Sequence, residues 1–108
     1  MDTDILTFIK FCITHRKIVW TYHVNMRLRG RFINRQAILQ SNESYEIIDE
    51  YPKDKYLPSY LVYSEYQGDI FHILFAVDLE GVNVRIVTVY RPNPGEWEEG
   101  FRTRRDIS

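Results

Sequence analysis

The chain has one cysteine, Cys12, so no internal disulfide can form and a reducing compartment is expected. Four prolines and five glycines in 108 residues leave no linker, repeat or low-complexity tract. No apolar run approaches the roughly eighteen residues that a membrane-crossing helix needs, and no signal-peptide pattern opens the sequence. A cytoplasmic location with no membrane partner is therefore the expectation. Glycine-rich phosphate loops, nucleophile elbows and His-Glu-x-x-His pairs are missing too. The few histidines and the cysteine stand at 12, 15, 23 and 72, without acids at ligand spacing. No metal and no cofactor are expected, and nucleotide-hydrolysing, serine-hydrolase and zinc-protease chemistries are disfavoured.

What is abundant is aromatic surface and unevenly distributed charge. Eight Tyr, six Phe and two Trp suit a sheet whose aromatic side chains keep one wet end. The net charge of −1 conceals polarity: residues 1–40 carry seven Lys/Arg against two acids, 41–84 two against nine, and 85–108 five against four. Cations concentrate at the two ends of the chain. If the ends meet in space they form a basic patch able to attract phosphate locally. The length fits a single domain over 1–108.

Asp2, Thr3 and Asp4 are capping residues, and Ile5, Phe8, Ile9 and Cys12 follow at the spacing of a core-facing helix. Cys12 on that stripe reads as a small buried hydrophobe. Ile18–Tyr22 predicts a short strand, His23–Gly30 a helix, and Asn34 the cap of a second short helix. Strands are expected at 45–51, 60–66, 70–77 and 84–90, the last three joined by short turns into an antiparallel meander. The class is α+β: N-terminal helices on an antiparallel meander sheet, with a short C-terminal helical tail around Trp97. Centring the last hairpin on Glu80-Gly81 pairs Ala76 with Arg85, Leu74 with Val87, His72 with Val89 and Ile70 with Arg91. That register puts His72, Arg85 and Arg91 on one face and Phe71, Phe75, Ile86 and Tyr90 on the other.

His23, Arg27 and Arg31 lie four apart on one helix face. Each guanidinium can hold two phosphate oxygens, and a neutral His23 among cations can accept a proton. The bland alternative is a solvated basic face with His23 as a cap. His72, in a central strand, is either a core histidine or a proton-transfer group. Tyr90, at the strand end, either orients a phosphate or covers the core. Trp97 and Phe101 dock the tail, beyond which Arg102, Arg104 and Arg105 are either phosphate contacts or a solubilising extension.

The pattern His23-x3-Arg27-x3-Arg31-x-Ile33, with Tyr45-Glu46-Ile47, Pro58-Ser59-Tyr60-Leu61, His72-Ile-Leu-Phe-Ala-Val77 and Ile86-Val-Thr-Val-Tyr-Arg-Pro-Asn-Pro-x2-Trp97, resembles a small bacterial family, the domain of unknown function numbered 4258. The resemblance runs from about residue 20 to residue 105. That family is regarded as similar to the RelE/ParE toxin superfamily, which implies a compact antiparallel-sheet domain with helices on one side, paired with an antitoxin. RelE-like members cut messenger RNA, often on the ribosome, whereas ParE-like members inhibit gyrase without nuclease activity. The chain departs from the pattern twice. Phe32 stands where the family commonly has glycine, with Gly30 displaced, and the near-neutral charge contrasts with strongly basic RelE-type nucleases.

The resemblance and the residues together give the functional expectation. It is the toxin of a type II toxin–antitoxin pair, a metal-independent endoribonuclease cleaving mRNA. His23, Arg27, His72 and Tyr90 would be catalytic, with Arg31, Arg91, Arg102, Arg104 and Arg105 on RNA phosphates. The expected partners are an antitoxin of zinc-finger or helix-turn-helix type, mRNA and the ribosome. The alternative is a non-enzymatic binding domain of the same fold, gyrase-inhibitor-like or antitoxin-binding only.

Overall fold

The computed structural model describes residues 4–106. In chain order it has α1 (Ile5–Thr14), β1 (Ile18–Trp20), α2 (Tyr22–Gly30), α3 (Arg35–Gln40), a 3-10 turn (Asn42–Ser44), β2 (Glu46–Tyr51), β3 (Ser59–Tyr66), β4 (Asp69–Asp78) and β5 (Asn83–Tyr90). Among the described residues, no helix is long and apolar enough to cross a membrane.

Local chemistry sets the helix ends. The Asp4 carboxylate accepts from the backbone N–H groups of Leu6 and Thr7, opening α1. Asp2 and Thr3, also expected as caps, lie outside the described residues. Thr21 and Asn34 cap α2 and α3 in the same way, through Val24 and Gln36. Both α1 and α2 close on a backbone lock in which two N–H groups beyond the helix reach back to its last carbonyls. Lys17 N–H donates to Cys12 and Arg16 to Ile13; Ile33 donates to Leu28 and Phe32 to Arg29. Such a lock needs one left-handed residue. Arg16 (φ 60°) and Phe32 (φ 55°) take that place where glycine is usual.

The sheet order is β1-β5-β4-β3-β2. Strands β3 to β5 form the expected antiparallel meander and β2 adds antiparallel to β3, but β1 pairs with β5 in parallel, so the sheet is mixed. The parallel pair follows from the connection: β1 feeds α2, and a long crossover separates it from its partner. Ile9, Cys12 and Ile13 of α1, Val24 and Leu28 of α2, and Ile38 and Leu39 of α3 share one core with Val62, Phe71, Ile73, Phe75, Ile86 and Val89 of the sheet. The turn between β3 and β4 is a two-residue hairpin with both Gln67 and Gly68 at positive φ, as a twisted antiparallel pair prefers.

Two expectations are corrected here. The Ala76–Arg85 pair forms, but Val87 is bulged out of the ladder. Leu74 therefore faces Thr88 rather than Val87, and His72 faces Tyr90 rather than Val89. Because side chains alternate at every residue, one extra residue moves everything beyond it to the other face. Tyr90 thus joins His72 instead of Phe71, Phe75 and Ile86. The strand ends at Tyr90, so Ile70 and Arg91 make no ladder pair. The second correction concerns the tail, which contains no helix among its described residues. It folds into a loop held by a bridge between Trp97 and Arg104, with Glu98 N–H donating to Thr103 and Arg105 N–H to Glu96. Gly100 and Phe101, both at positive φ, make the reversal that a helix could not accommodate.

Candidate functional site

Helix α2 buries Val24 and Leu28 and turns its remaining side chains outward. On its outer face the Arg27 Nε–H donates to His23 Nε2 at 2.8 Å. An imidazole nitrogen that accepts carries no proton, so His23 in this arrangement is neutral with its proton on Nδ1. Arg31, one turn further, is half-buried and donates to the Val89 carbonyl at the end of β5. There Arg31 comes beside one C-terminal cation, Arg91. Arg91 grips Asp69 with two guanidinium nitrogens, at 2.8 and 3.0 Å, and also donates to the Arg31 and Phe32 carbonyls. Gly30, Arg31, Phe32, Tyr90 and Arg91 line a shallow concavity of about 450 Å³ at this rim.

The other face of the sheet holds a second cluster. His72 is fully buried. Its Nε2 lies 2.7 Å from the Phe101 carbonyl and must donate, which leaves Nδ1 to accept from the Tyr90 hydroxyl at 3.3 Å. Trp97 meets the imidazole edge-on at 4.4 Å. Burial holds the His72 pKa below its ordinary value; the Phe101 bond opposes this and Arg104 reinforces it. Burial raises the Tyr90 phenol, with Arg104 acting against it. Arg104 stacks over Trp97 and sits 3.9 Å from Asp49. Arg102 pairs with Glu46 at 2.6 Å over the ring of Tyr63. Arg105 donates to the Pro94 carbonyl.

A family model described as Domain of unknown function (DUF4258) matches residues 20–91, two-thirds of the chain. The chain belongs to this family. No curated protein and no solved structure matches it. The DUF4258 segment runs from the end of β1 to Arg91, so it contains His23, Arg27, Arg31, His72, Tyr90 and Arg91. Helix α1 and the arginine-bearing tail lie beyond it.

The expected site residues divide into two groups, and the second reaches beyond the DUF4258 segment. His23 and Arg27 pair on α2, and Arg31, Tyr90 and Arg91 converge at the rim beside them. His72, Arg102, Arg104 and Arg105 lie with the tail on the opposite sheet face, and Tyr90 touches both groups. Sequence reasoning missed Asp69, Glu46, Asp49 and Tyr51, which occupy Arg91, Arg102 and Arg104. The acidic middle of the chain was the available signal. It also missed Tyr22, Met26 and Phe32, which stand exposed around the His23–Arg27 pair.

His72 gives a pH signature. Its folded pKa is depressed, so the unfolded chain takes up the proton first as pH falls. The contribution of the neutral, buried ring is complete above about pH 6.5, the ordinary histidine value. It declines below that as pH falls toward the folded pKa. Thermal midpoints should be level between about pH 7 and 8 and drop below about pH 6.5. His72→Gln should flatten that slope; an unchanged slope would assign it to other groups.

Proposed function

We propose that this domain is the toxin of a type II toxin–antitoxin pair, a RelE-like, metal-independent endoribonuclease that cuts messenger RNA. The observation that carries the reading is the exposed, hydrogen-bonded His23–Arg27 pair, set beside the Arg31–Tyr90–Arg91 rim. Between residues 5 and 42 the sequence contains seven Lys/Arg and no acid, so the surface around the pair is suited to a polyanion. Three helices sharing a core with a β2–β5 meander fit the compact fold that the resemblance implies.

RNA cleavage of this kind needs a base for the ribose 2′-hydroxyl, charge stabilisation on phosphorus and a proton for the departing 5′-oxygen. Arg27, drawn to the scissile phosphate, leaves His23 Nε2 free to take the 2′-hydroxyl proton. The 2′-oxygen bonds to phosphorus, the bond to the 5′-oxygen breaks, and the imidazolium returns its proton to that oxygen. Arg27 and Arg31 balance the charge that develops on the phosphate. Tyr90 closes the end of β5 at the rim, while its hydroxyl is held on the tail face by His72. His72, with both nitrogens engaged inside the protein, serves by fixing the Tyr90 hydroxyl. Its direct use in proton transfer would require the tail to lift.

A non-enzymatic reading has one observation in its favour: Arg102 and Arg104 are paired on the surface with Glu46 and Asp49 rather than free for RNA. A domain that binds only its antitoxin or gyrase would tolerate that.

Inducible expression in a bacterial host, with and without the product of the neighbouring reading frame, tests both readings. The ribonuclease predicts growth arrest relieved by that product, with new 5′ ends in primer extension on total RNA. Arrest with intact transcripts would favour the binder, and no arrest would remove both. Arg27→Ala should abolish arrest while leaving the thermal midpoint unchanged, since the side chain is exposed and makes no buried contact.

A further inference from the structure

On α2, Tyr22, Met26 and Gly30 follow at four-residue spacing and run along the middle of the solvent face, opposite Val24 and Leu28. Phe32 follows two residues past Gly30, just beyond the helix end. These side chains are strongly exposed: Tyr22 79%, Met26 50% and Phe32 89%. His23 and Arg27 flank the ridge on one side and Arg29 on the other, by the same helical spacing. An apolar ridge with cationic margins is thus presented to solvent.

Phe32 is the informative member. Its φ of 55° lies in the left-handed region, where a bulky L side chain is disfavoured and glycine is not. No packing inside the protein compensates, because the ring is in solvent. The turn is instead clamped through its backbone, by Arg91 donating to the Arg31 and Phe32 carbonyls while Asp69 holds Arg91. Gly30, beside it, has nothing within 4 Å of where a Cβ would stand, so packing does not demand glycine there either. A strained, exposed aromatic beside a bare helix surface places a flat ring where something outside the protein can lie against it.

We propose that this ridge is a base-stacking platform for single-stranded RNA, with Phe32 and Tyr22 each receiving a base and Arg27 and Arg29 the intervening phosphates. The helix runs about 12 Å from Tyr22 to Gly30, with Phe32 two residues beyond its end, room for a short oligonucleotide. Aromatic faces alternating with guanidinium groups are the chemistry that holds an unpaired strand. The absence of acids from residues 5 to 42 selects a polyanionic occupant. This rests on the RNA reading above and adds where the bases, as distinct from the scissile phosphate, are held.

The test is fluorescence anisotropy with a labelled 2′-O-methyl oligoribonucleotide, which binds without being cut, and an abasic strand of equal length. The parent should bind the base-bearing strand more tightly than the abasic one. Phe32→Gly should weaken binding of the base-bearing strand about 5- to 150-fold, the loss of one stacked base, and leave the abasic strand unaffected. The same variant should melt at a higher temperature, because glycine relieves the left-handed strain. Tyr22→Ala should weaken binding similarly, without that rise. Equal affinity of parent and variants for the base-bearing strand would overturn the platform, as would equal affinity of the parent for the two strands. Should Phe32→Gly disrupt only capture of the neighbouring frame's product, the ridge is a protein-docking face and the proposal fails. If the parent shows the expected binding pattern but leaves unmodified RNA uncut, the platform stands and the ribonuclease reading falls.

Discussion

Replacing Trp97 with alanine is expected to lower stability by about 3–5 kcal/mol, a large share of the total for a domain of this size. Trp97 is 2% exposed, yet it lies on a loop with no helix of its own. Its ring lies edge-on to His72 and carries the Arg104 guanidinium, while its backbone bridges to Arg104 and closes the tail. Truncation removes the main apolar anchor over this end of the sheet and opens His72 to water. Urea denaturation followed by fluorescence and circular dichroism should show a lower midpoint with a single transition. Hydration of His72 would also bring its pKa back toward the ordinary value, so the acid slope should shrink in the same variant. A midpoint shift equivalent to less than about 1 kcal/mol would mean that the tail unfolds independently of the sheet.

The elements that sequence reasoning located are those whose signals are local. Asp4 followed by Ile5, Phe8, Ile9 and Cys12 gives a cap and a face within three turns, and α1 begins and buries Cys12 accordingly. Gln67-Gly68 supplies the two positive φ values of its hairpin. The Val87 bulge has no local signature: Val-Arg-Ile-Val-Thr-Val-Tyr alternates well enough in either register, and only the fit to β4 decides. That single residue determined whether Tyr90 belongs with His72 or with the core. The tail misled differently. Trp97 and Phe101 have helical spacing, but Gly100 and Phe101 reverse the chain between them. Strand β1 has three residues and a partner more than sixty positions away, so its parallel direction is a property of the whole fold.

The same division holds for the candidate site. The spacing of His23, Arg27 and Arg31 was legible, and the first two do touch. Whether a given arginine stays free was not legible, because that depends on acids distant in sequence. Arg91 meets Asp69, Arg102 meets Glu46 and Arg104 meets Asp49 only after the meander has brought the acidic middle under the basic tail. The effect is to neutralise the tail's patch and leave the helical layer as the larger expanse of uncompensated sequence charge. It also explains how a chain of net charge −1 can present a cationic face.

His23→Gln is expected to slow RNA cleavage about 10²–10⁴-fold, the usual contribution of one proton-transfer group. Glutamine can still accept from Arg27 through its side-chain carbonyl, so the guanidinium keeps its position and the exposed surface is hardly altered. What disappears is a nitrogen able to take a proton from the 2′-hydroxyl. Single-turnover cleavage of a labelled transcript should therefore fall while affinity for the uncleavable 2′-O-methyl strand holds. Arg27→Ala should behave differently, losing both rate and affinity, because its guanidinium contributes to phosphate binding before the transition state as well as within it. His72→Gln provides the counterpart on the buried face: if His72 acts only by fixing Tyr90, its loss should change the rate far less than that of His23. Parent-like cleavage by His23→Gln together with a large loss in His72→Gln would move the reaction across the sheet, to the His72–Tyr90 pair beneath the tail.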